Sequence, residues 1–172
     1  AVFRSLIISA GISSQLETEL FTTLQAKDMS TLKELCSHLQ PSIRDALMLL
    51  PELYGGDRVL TDGAKWLPDY PEIKTALNEL NVIKQEMTSL VEHIAFDLAD
   101  LRGYHYHTGI VFAAYVRGSS NAIALGGRYD EIGKAFGRSR PATGFSMDLR
   151  DLSKLVKPKP YPKAISAPFW KD

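Results

Sequence analysis

The chain has 172 residues, 45% of them hydrophobic and 23% charged, with 20 Lys and Arg balanced by 20 Asp and Glu. That length and composition suit one globular domain with a real core, and zero net charge gives no global attraction to nucleic acid. No apolar run approaches the ~18 residues of a membrane span, Ala1-Val2-Phe3-Arg4 is no signal peptide, and the single Cys36 has no internal disulfide partner. The reading is therefore a cytoplasmic chain in a reducing compartment, without nucleic acid or membrane as a partner.

The first half reads as helical. Ser14 and Glu17 have the spacing of a capping box, and Leu16, Leu20, Phe21 and Leu24 form one apolar stripe behind them. Asp28 is placed to cap a second helix, where Leu32, Leu35, Cys36 and Leu39 recur at helical spacing. Pro41-Ser42 ends it and opens Ile43 to Leu50, which Pro51 closes. Gly55-Gly56 is a break, Asp57 to Leu67 a short helix, and Asp69 with Pro71 opens a longer one carrying Ile73, Leu77, Leu80, Ile83, Met87 and Leu90.

The period then changes from about 3.6 to 2. Ile94, Phe96 and Leu98 alternate with polar or small neighbours, which predicts a first strand. Tyr104 to Val116 is a second strand candidate interrupted by Gly109. It would put Tyr104, Tyr106, Thr108, Ile110 and Phe112 on one face and His105, His107, Val111 and Tyr115 on the other. Arg117 to Asn121 is a hairpin loop, Ala122 to Leu125 a third strand, Ala142 to Met147 a fourth and Asp148 to Leu155 a closing helix. Lys157 to Pro162 reads as an extended linker, and Ala164 to Trp170 as a strand starting. The absence of an initiator Met and the apolar start suggest a piece of a longer chain.

This order predicts an α+β fold with segregated helices. Residues 1–90 form a helical region, 91–156 an antiparallel sheet with its closing helix, and 157–172 a linker or the start of a further segment.

Two segments carry more polar and glycine residues than a sheet core needs: Arg102-Gly103-Tyr104-His105-Tyr106-His107-Thr108-Gly109 and Gly126-Gly127-Arg128-Tyr129-Asp130. They read as floor and wall of a small-molecule pocket. Arg102 offers a two-pronged donor to a carboxylate or phosphate, or else a surface ion pair with Asp97 or Asp100. Gly126-Gly127 allows close backbone approach, or forms a bulge. His105 and His107 have a spacing that suits a metal, but no third ligand lies near in sequence and no metal is expected. There is no P-loop and no nucleophile elbow, so no resident cofactor is expected.

Taken together, Ile94 to Leu152 resembles the later part of the histidyl-tRNA synthetase catalytic domain. That family carries Arg-Gly-Leu-Asp-Tyr-Tyr-Thr-Gly, then Gly-Gly-Arg-Tyr-Asp, then a Gly-Phe strand-to-helix motif. Here the first has Tyr104, His105 and His107 in place of Leu, Asp and the second Tyr. The second is intact, and the third runs from Pro141 to Leu152. The helical half is similar to that family's helical insertion.

The resemblance implies a partial class II aminoacyl-tRNA synthetase-like antiparallel sheet. It also puts Asp151 where the synthetase has an arginine that holds ATP. A charge-assisted hydrogen bond is worth roughly 1.5–3 kcal/mol, and a carboxylate there adds repulsion toward phosphate. Arg150, one residue earlier, points about 100° away on a helix.

Arg102 to Gly109 in particular is similar to the regulatory subunits of ATP phosphoribosyltransferase, a synthetase-like family without aminoacylation. That implies no catalysis by this chain itself. It also implies a short-form catalytic subunit as partner in a hetero-oligomer, a place in histidine biosynthesis, and histidine as effector. The expected histidine pocket comprises Arg102, Tyr106, His107, Gly126, Gly127, Arg128 and Tyr129. The alternative from another class is a histidyl-tRNA synthetase fragment.

Overall fold

A computed structural model of the chain describes residues 1–131, 133–134 and 137–156. The proposed linker and the strand start beyond it lie outside the described residues.

The helical half builds its core from six helices, a 3-10 turn and a short strand. Helix α1 (Val2–Ser9) buries Val2, Phe3, Leu6 and Ile7. Helix α2 (Ser14–Ala26) is capped by Ser13, whose hydroxyl accepts from the Leu16 amide, so the cap lies one residue before the Ser14 expected from the capping-box spacing. Helix α3 (Met29–Leu35) begins as the sequence predicts: the Asp28 carboxylate accepts from the Ser30 and Thr31 amides at 3.1 Å each. Helices α4 (Pro41–Leu49) and α6 (Pro71–Met87) both start on a proline, whose missing N–H costs nothing in the first turn. Between them a 3-10 turn (Leu50–Glu52), strand β1 (Tyr54–Gly55) and helix α5 (Arg58–Trp66) complete the layer.

Leu6, Leu20, Cys36, Leu47 and Leu50 are wholly shielded from solvent, and Phe3, Leu32 and Ile43 nearly so. Burial pushes the Cys36 thiol up to about 11, as befits a core residue.

The strand expected at Ile94–Leu98 shrinks to β2 (Phe96–Asp97). It does not join the later meander but pairs antiparallel with β1, setting Tyr54 opposite Asp97 and Gly55 opposite Phe96. The Leu98 amide adds one more bond, to the Leu53 carbonyl at 3.0 Å. Phe96 and Leu98 close the helical core, so this two-residue ladder staples the chain back onto the helices.

Three strands then form a separate antiparallel sheet in the order β3 (Val111–Ala114), β4 (Ala124–Arg128), β5 (Thr143–Met147). The register sets Gly126 between Phe112 and Phe145, and Gly127 between Val111 and Gly144. Gly126 and Gly127 thus lie inside a strand rather than after one. Helix α7 (Leu149–Leu155) follows, with Asp148 accepting from the Arg150 and Asp151 amides. The architecture is α+β, as the period change predicts.

The second expected strand is mostly a turn. Residues 101–107 coil tightly: the Gly103 carbonyl accepts from both Tyr106 and His107 amides, at 2.8 and 2.7 Å. Gly103 sits at φ +63°, a backbone state that favours glycine. The alternating faces expected for Tyr104 to Ile110 therefore do not exist, and only Val111–Ala114 is extended.

Candidate functional site

The turn sends its side chains two ways. Tyr104 turns into the helical core. Its ring meets Phe3 edge-on at 5.2 Å and lies 5.5 Å from Phe21, and its hydroxyl donates to the Glu17 carboxylate at 2.7 Å. Arg4 lies over the same ring and donates to the Tyr104 carbonyl at 2.8 Å. Burial, reinforced by the bond to Glu17, pushes the Tyr104 phenol up to about 12. His105 stays exposed beside Phe21, 5.5 Å away.

Tyr106 and His107, although adjacent in sequence, face one cleft of about 450 Å³. It is walled by Tyr106, His107 and Tyr129, edged by Arg102 and Gly103, and floored by the β3–β4–β5 sheet at Gly126, Leu125 and Gly144. That volume suits a small ligand. The three rings pack on one another: Tyr106 to Tyr129 at 5.0 Å, Tyr106 to His107 edge-on at 5.1 Å.

Glycines make this packing possible. A Cβ on Gly127 would stand 2.7 Å from Cδ2 of His107 and 2.8 Å from the Ile110 carbonyl oxygen. One on Gly103 would overlap Nδ1 of the same ring, and one on Gly144 the Tyr129 hydroxyl. The His107 imidazole is therefore clamped between two glycines. Its Nδ1 is enclosed, with no hydrogen-bond partner among the described residues. A Cβ on Gly126 would meet Phe145 Cβ at 2.6 Å and the Phe112 ring at 2.8 Å.

The two arginines expected in the pocket are both already paired. Nε of Arg102 donates to both oxygens of Asp100 at 2.9 Å, and its Nη2 reaches the same carboxylate. This pair raises the guanidinium pKa above its ordinary value, with Tyr115 adding to it. Burial alone would push the Asp100 carboxyl up, but hydrogen bonds from the Arg102 side chain and amide outweigh it and hold that carboxyl below the usual range. Arg102 borders the cleft, so a ligand anion there would share a guanidinium with Asp100.

Arg128 points elsewhere. It bonds Asp130 at 2.9 and 3.1 Å and reaches Glu79 on α6 at 3.6 Å. Asp130 also accepts from the Ala142 amide at 3.2 Å, while its own amide donates to the Thr108 hydroxyl at 3.0 Å. Gly-Gly-Arg-Tyr-Asp thus divides its work: Gly126 and Tyr129 line the cleft, Gly127 seats His107, and Arg128 with Asp130 locks the turn to β4 and β5.

Sequence reasoning missed Val111, Phe112, Leu125, Gly144, Phe145 and Ser146 of the lining. The one signal that could have placed Phe112 and Phe145 there is register, which puts both opposite Gly126. Among the described residues no three His, Cys, Asp or Glu side chains gather as a metal set. A slightly larger cleft, about 500 Å³, lies beside β1 and α5 among Glu52, Tyr54, Asp57 and Asp62, without converging aromatic rings. Asp151 lies on α7 and pairs with Lys154 at 2.8 Å, one turn on.

Comparison with known proteins decides the family. The sequence model for histidyl-tRNA synthetase matches residues 1–152. The chain belongs to the histidyl-tRNA synthetase family. Within it, the chain is 60% identical to an ATP phosphoribosyltransferase regulatory subunit of Nitrosospira multiformis, over all of this chain and 45% of that protein. It is 57% identical to the regulatory subunit of Nitrosomonas eutropha, over 99% of this chain and 44% of that one. The chain thus spans less than half the length of these curated relatives.

A solved structure described as an ATP phosphoribosyltransferase regulatory subunit/histidyl-tRNA synthetase, from Bacillus halodurans, superposes with a TM-score of 0.75 at 26% identity. It covers 91% of this chain and 42% of its own. The class II synthetase-like fold expected from the motifs is the fold observed. Among the described residues no helix is long and apolar enough to cross a membrane.

Proposed function

We propose that this chain is part of a regulatory subunit of ATP phosphoribosyltransferase and carries its histidine-sensing cleft. The subunit does no chemistry of its own. It joins a short-form catalytic subunit in a cytoplasmic hetero-oligomer of histidine biosynthesis, activates it, and relays histidine binding to it. Two relatives of 57–60% identity carry that name, which supports the reading.

The observation that carries it is a contrast within one site. The amino-acid side is furnished: Tyr106, His107 and Tyr129 wall a cleft with room for a small ligand, with Arg102 at its edge. At the position that the synthetase resemblance gives to its ATP arginine stands Asp151, an anion held by Lys154. Replacing a donor to phosphate by a carboxylate removes roughly 1.5–3 kcal/mol of attraction and adds repulsion. Such a site keeps its effector and gives up adenylation. Regulation then requires that histidine bind one state of the assembly better than another.

Two measurements on the full-length protein test this. Catalytic-subunit turnover with and without it should rise on addition and fall again with histidine. Histidine-dependent exchange of pyrophosphate into ATP should be absent. Such exchange at synthetase-like rates would overturn the reading in favour of a histidyl-tRNA synthetase.

A further inference from the structure

Tyr104 is the one residue of the Arg102–Gly109 segment that leaves the cleft for the helical core. It touches both α1 and α2, through Phe3, Arg4, Phe21 and Glu17. Two residues later the chain has already delivered Tyr106 to the cleft. The link between them is short and stiff: the Tyr104 amide bonds the Leu101 carbonyl at 3.1 Å, and the Gly103 carbonyl takes both following amides. These bonds restrict the backbone between the core-anchored ring and the cleft-facing pair.

We infer that Tyr104 is a positioning residue, whose hydroxyl, held by Glu17 on α2, fixes the turn 101–107 so that Tyr106 and His107 stand preorganised in the cleft. The hydroxyl is the informative atom. The ring alone would fill the core, whereas the bond to a carboxylate with an exposed helix behind it sets the depth and rotation of the ring. Glu17 and Phe21 both belong to α2, so movement of that helix reaches the turn through this hydrogen bond and through the Phe21–Tyr104 ring contact. The helices then act as more than packing: they set the position of the turn that presents Tyr106 and His107. The ligand arm of this inference rests on the reading of the cleft as a histidine site; its structural arm does not.

The test uses the full-length protein and the variants Tyr104→Phe, Glu17→Ala, both together, and Glu17→Gln, which keeps an acceptor. Amide hydrogen exchange is followed without ligand, and histidine affinity by calorimetry. Tyr104→Phe should speed exchange of the 102–107 amides and weaken histidine binding by about tenfold, the scale of one charge-assisted hydrogen bond. Amides of α1 and α2 should keep their protection. Glu17→Ala should match it, the double variant should be no worse than either single one, and Glu17→Gln should recover most of the effect.

Unchanged exchange at 102–107 in Tyr104→Phe would overturn the inference, as would loosening spread equally over α1 and α2, which marks a merely structural role. If the unaltered protein binds no histidine, the reading of the cleft fails. The exchange pattern still decides the role of Tyr104.

Discussion

The helical half and the three-stranded sheet are held together by different physics. The helices bury a contiguous core in which Leu6, Leu20, Leu47 and Leu50 see no solvent. The sheet buries almost nothing of its own: among its hydrophobic side chains only Ala124 is buried, while Phe112, Leu125, Phe145 and Met147 are more than 40% exposed. Its order comes instead from ladder hydrogen bonds and from aromatic rings seated on glycines. The helical half spends its sequence on volume, and the sheet spends its sequence on a fitted cleft. Damage to one should read out as stability and damage to the other as binding.

The largest expected effect is in the helices. Leu47→Ala in the full-length protein should cost about 2–5 kcal/mol, the range for emptying a fully buried leucine site. It should appear as a lower urea midpoint at constant slope. Leu125→Ala, on the cleft floor and 45% exposed, should stay within about 0.5 kcal/mol. Equal losses from the two would break the comparison.

Glycines sharpen it. Gly144→Ala would push a methyl into the Tyr129 hydroxyl, and such overpacking costs typically about 1–3 kcal/mol. The wall of the cleft would move with the ring, so histidine affinity should fall at least about tenfold, on the scale of one lost good contact. Gly63→Ala in α5 is the control. Its methyl would meet only the flexible ends of Leu98 and Leu77, at 3.1 and 3.2 Å. Alanine also gains about 1 kcal/mol of helix propensity over glycine. The net change should stay within about 1 kcal/mol, with histidine affinity untouched. Calorimetry on both variants decides, and a Gly144→Ala protein that binds normally would show that the ring fit is irrelevant to the ligand.

How legible each half was in the sequence follows the same division. Helix starts are local chemistry, so Asp28, Pro41 and Pro71 announced α3, α4 and α6 without help from the fold. Ser13 rather than Ser14 caps α2 because two adjacent serines offer the same hydroxyl, and only backbone geometry chooses. Helix α1 gave no signal: it has no side-chain cap and no acidic first turn. The β1–β2 ladder is two residues long and joins positions more than forty apart, beyond any periodicity.

At the site, alternation from Tyr104 to Val116 imitated a strand. A period of two needs only aromatic and small residues in turn, and Gly103 at φ +63° breaks the backbone that the pattern implies. The cleft residues Tyr106, His107, Gly126 and Tyr129 were legible because polar aromatics and paired glycines are poor core material. The assignment of Arg128 to Asp130 and Glu79 was not, because an arginine's reach covers a pocket and a neighbouring carboxylate alike.

The smallest effect concerns acid. Asp100 holds Arg102 at the edge of the cleft, and hydrogen bonds from Arg102 outweigh burial to keep the Asp100 carboxyl below its ordinary value. A carboxyl whose folded value is depressed adds stability that is complete above the unfolded value and is lost as pH falls through the folded one. The contribution is therefore present throughout neutral and mildly acidic pH and fades only below the usual carboxylate range. Asp100→Asn should remove that acid-side loss while leaving Arg102 without its counter-charge. At neutral pH the freed guanidinium should then favour an anionic group in the cleft, so histidine should bind the variant as well as or better than the native protein, and the affinity should depend less on pH below about 4, near the unperturbed Asp value. Weaker binding at neutral pH would mean that Asp100 serves the ligand by orienting Arg102, rather than competing with it. Titrating histidine affinity against pH for both proteins separates the two roles of that ion pair.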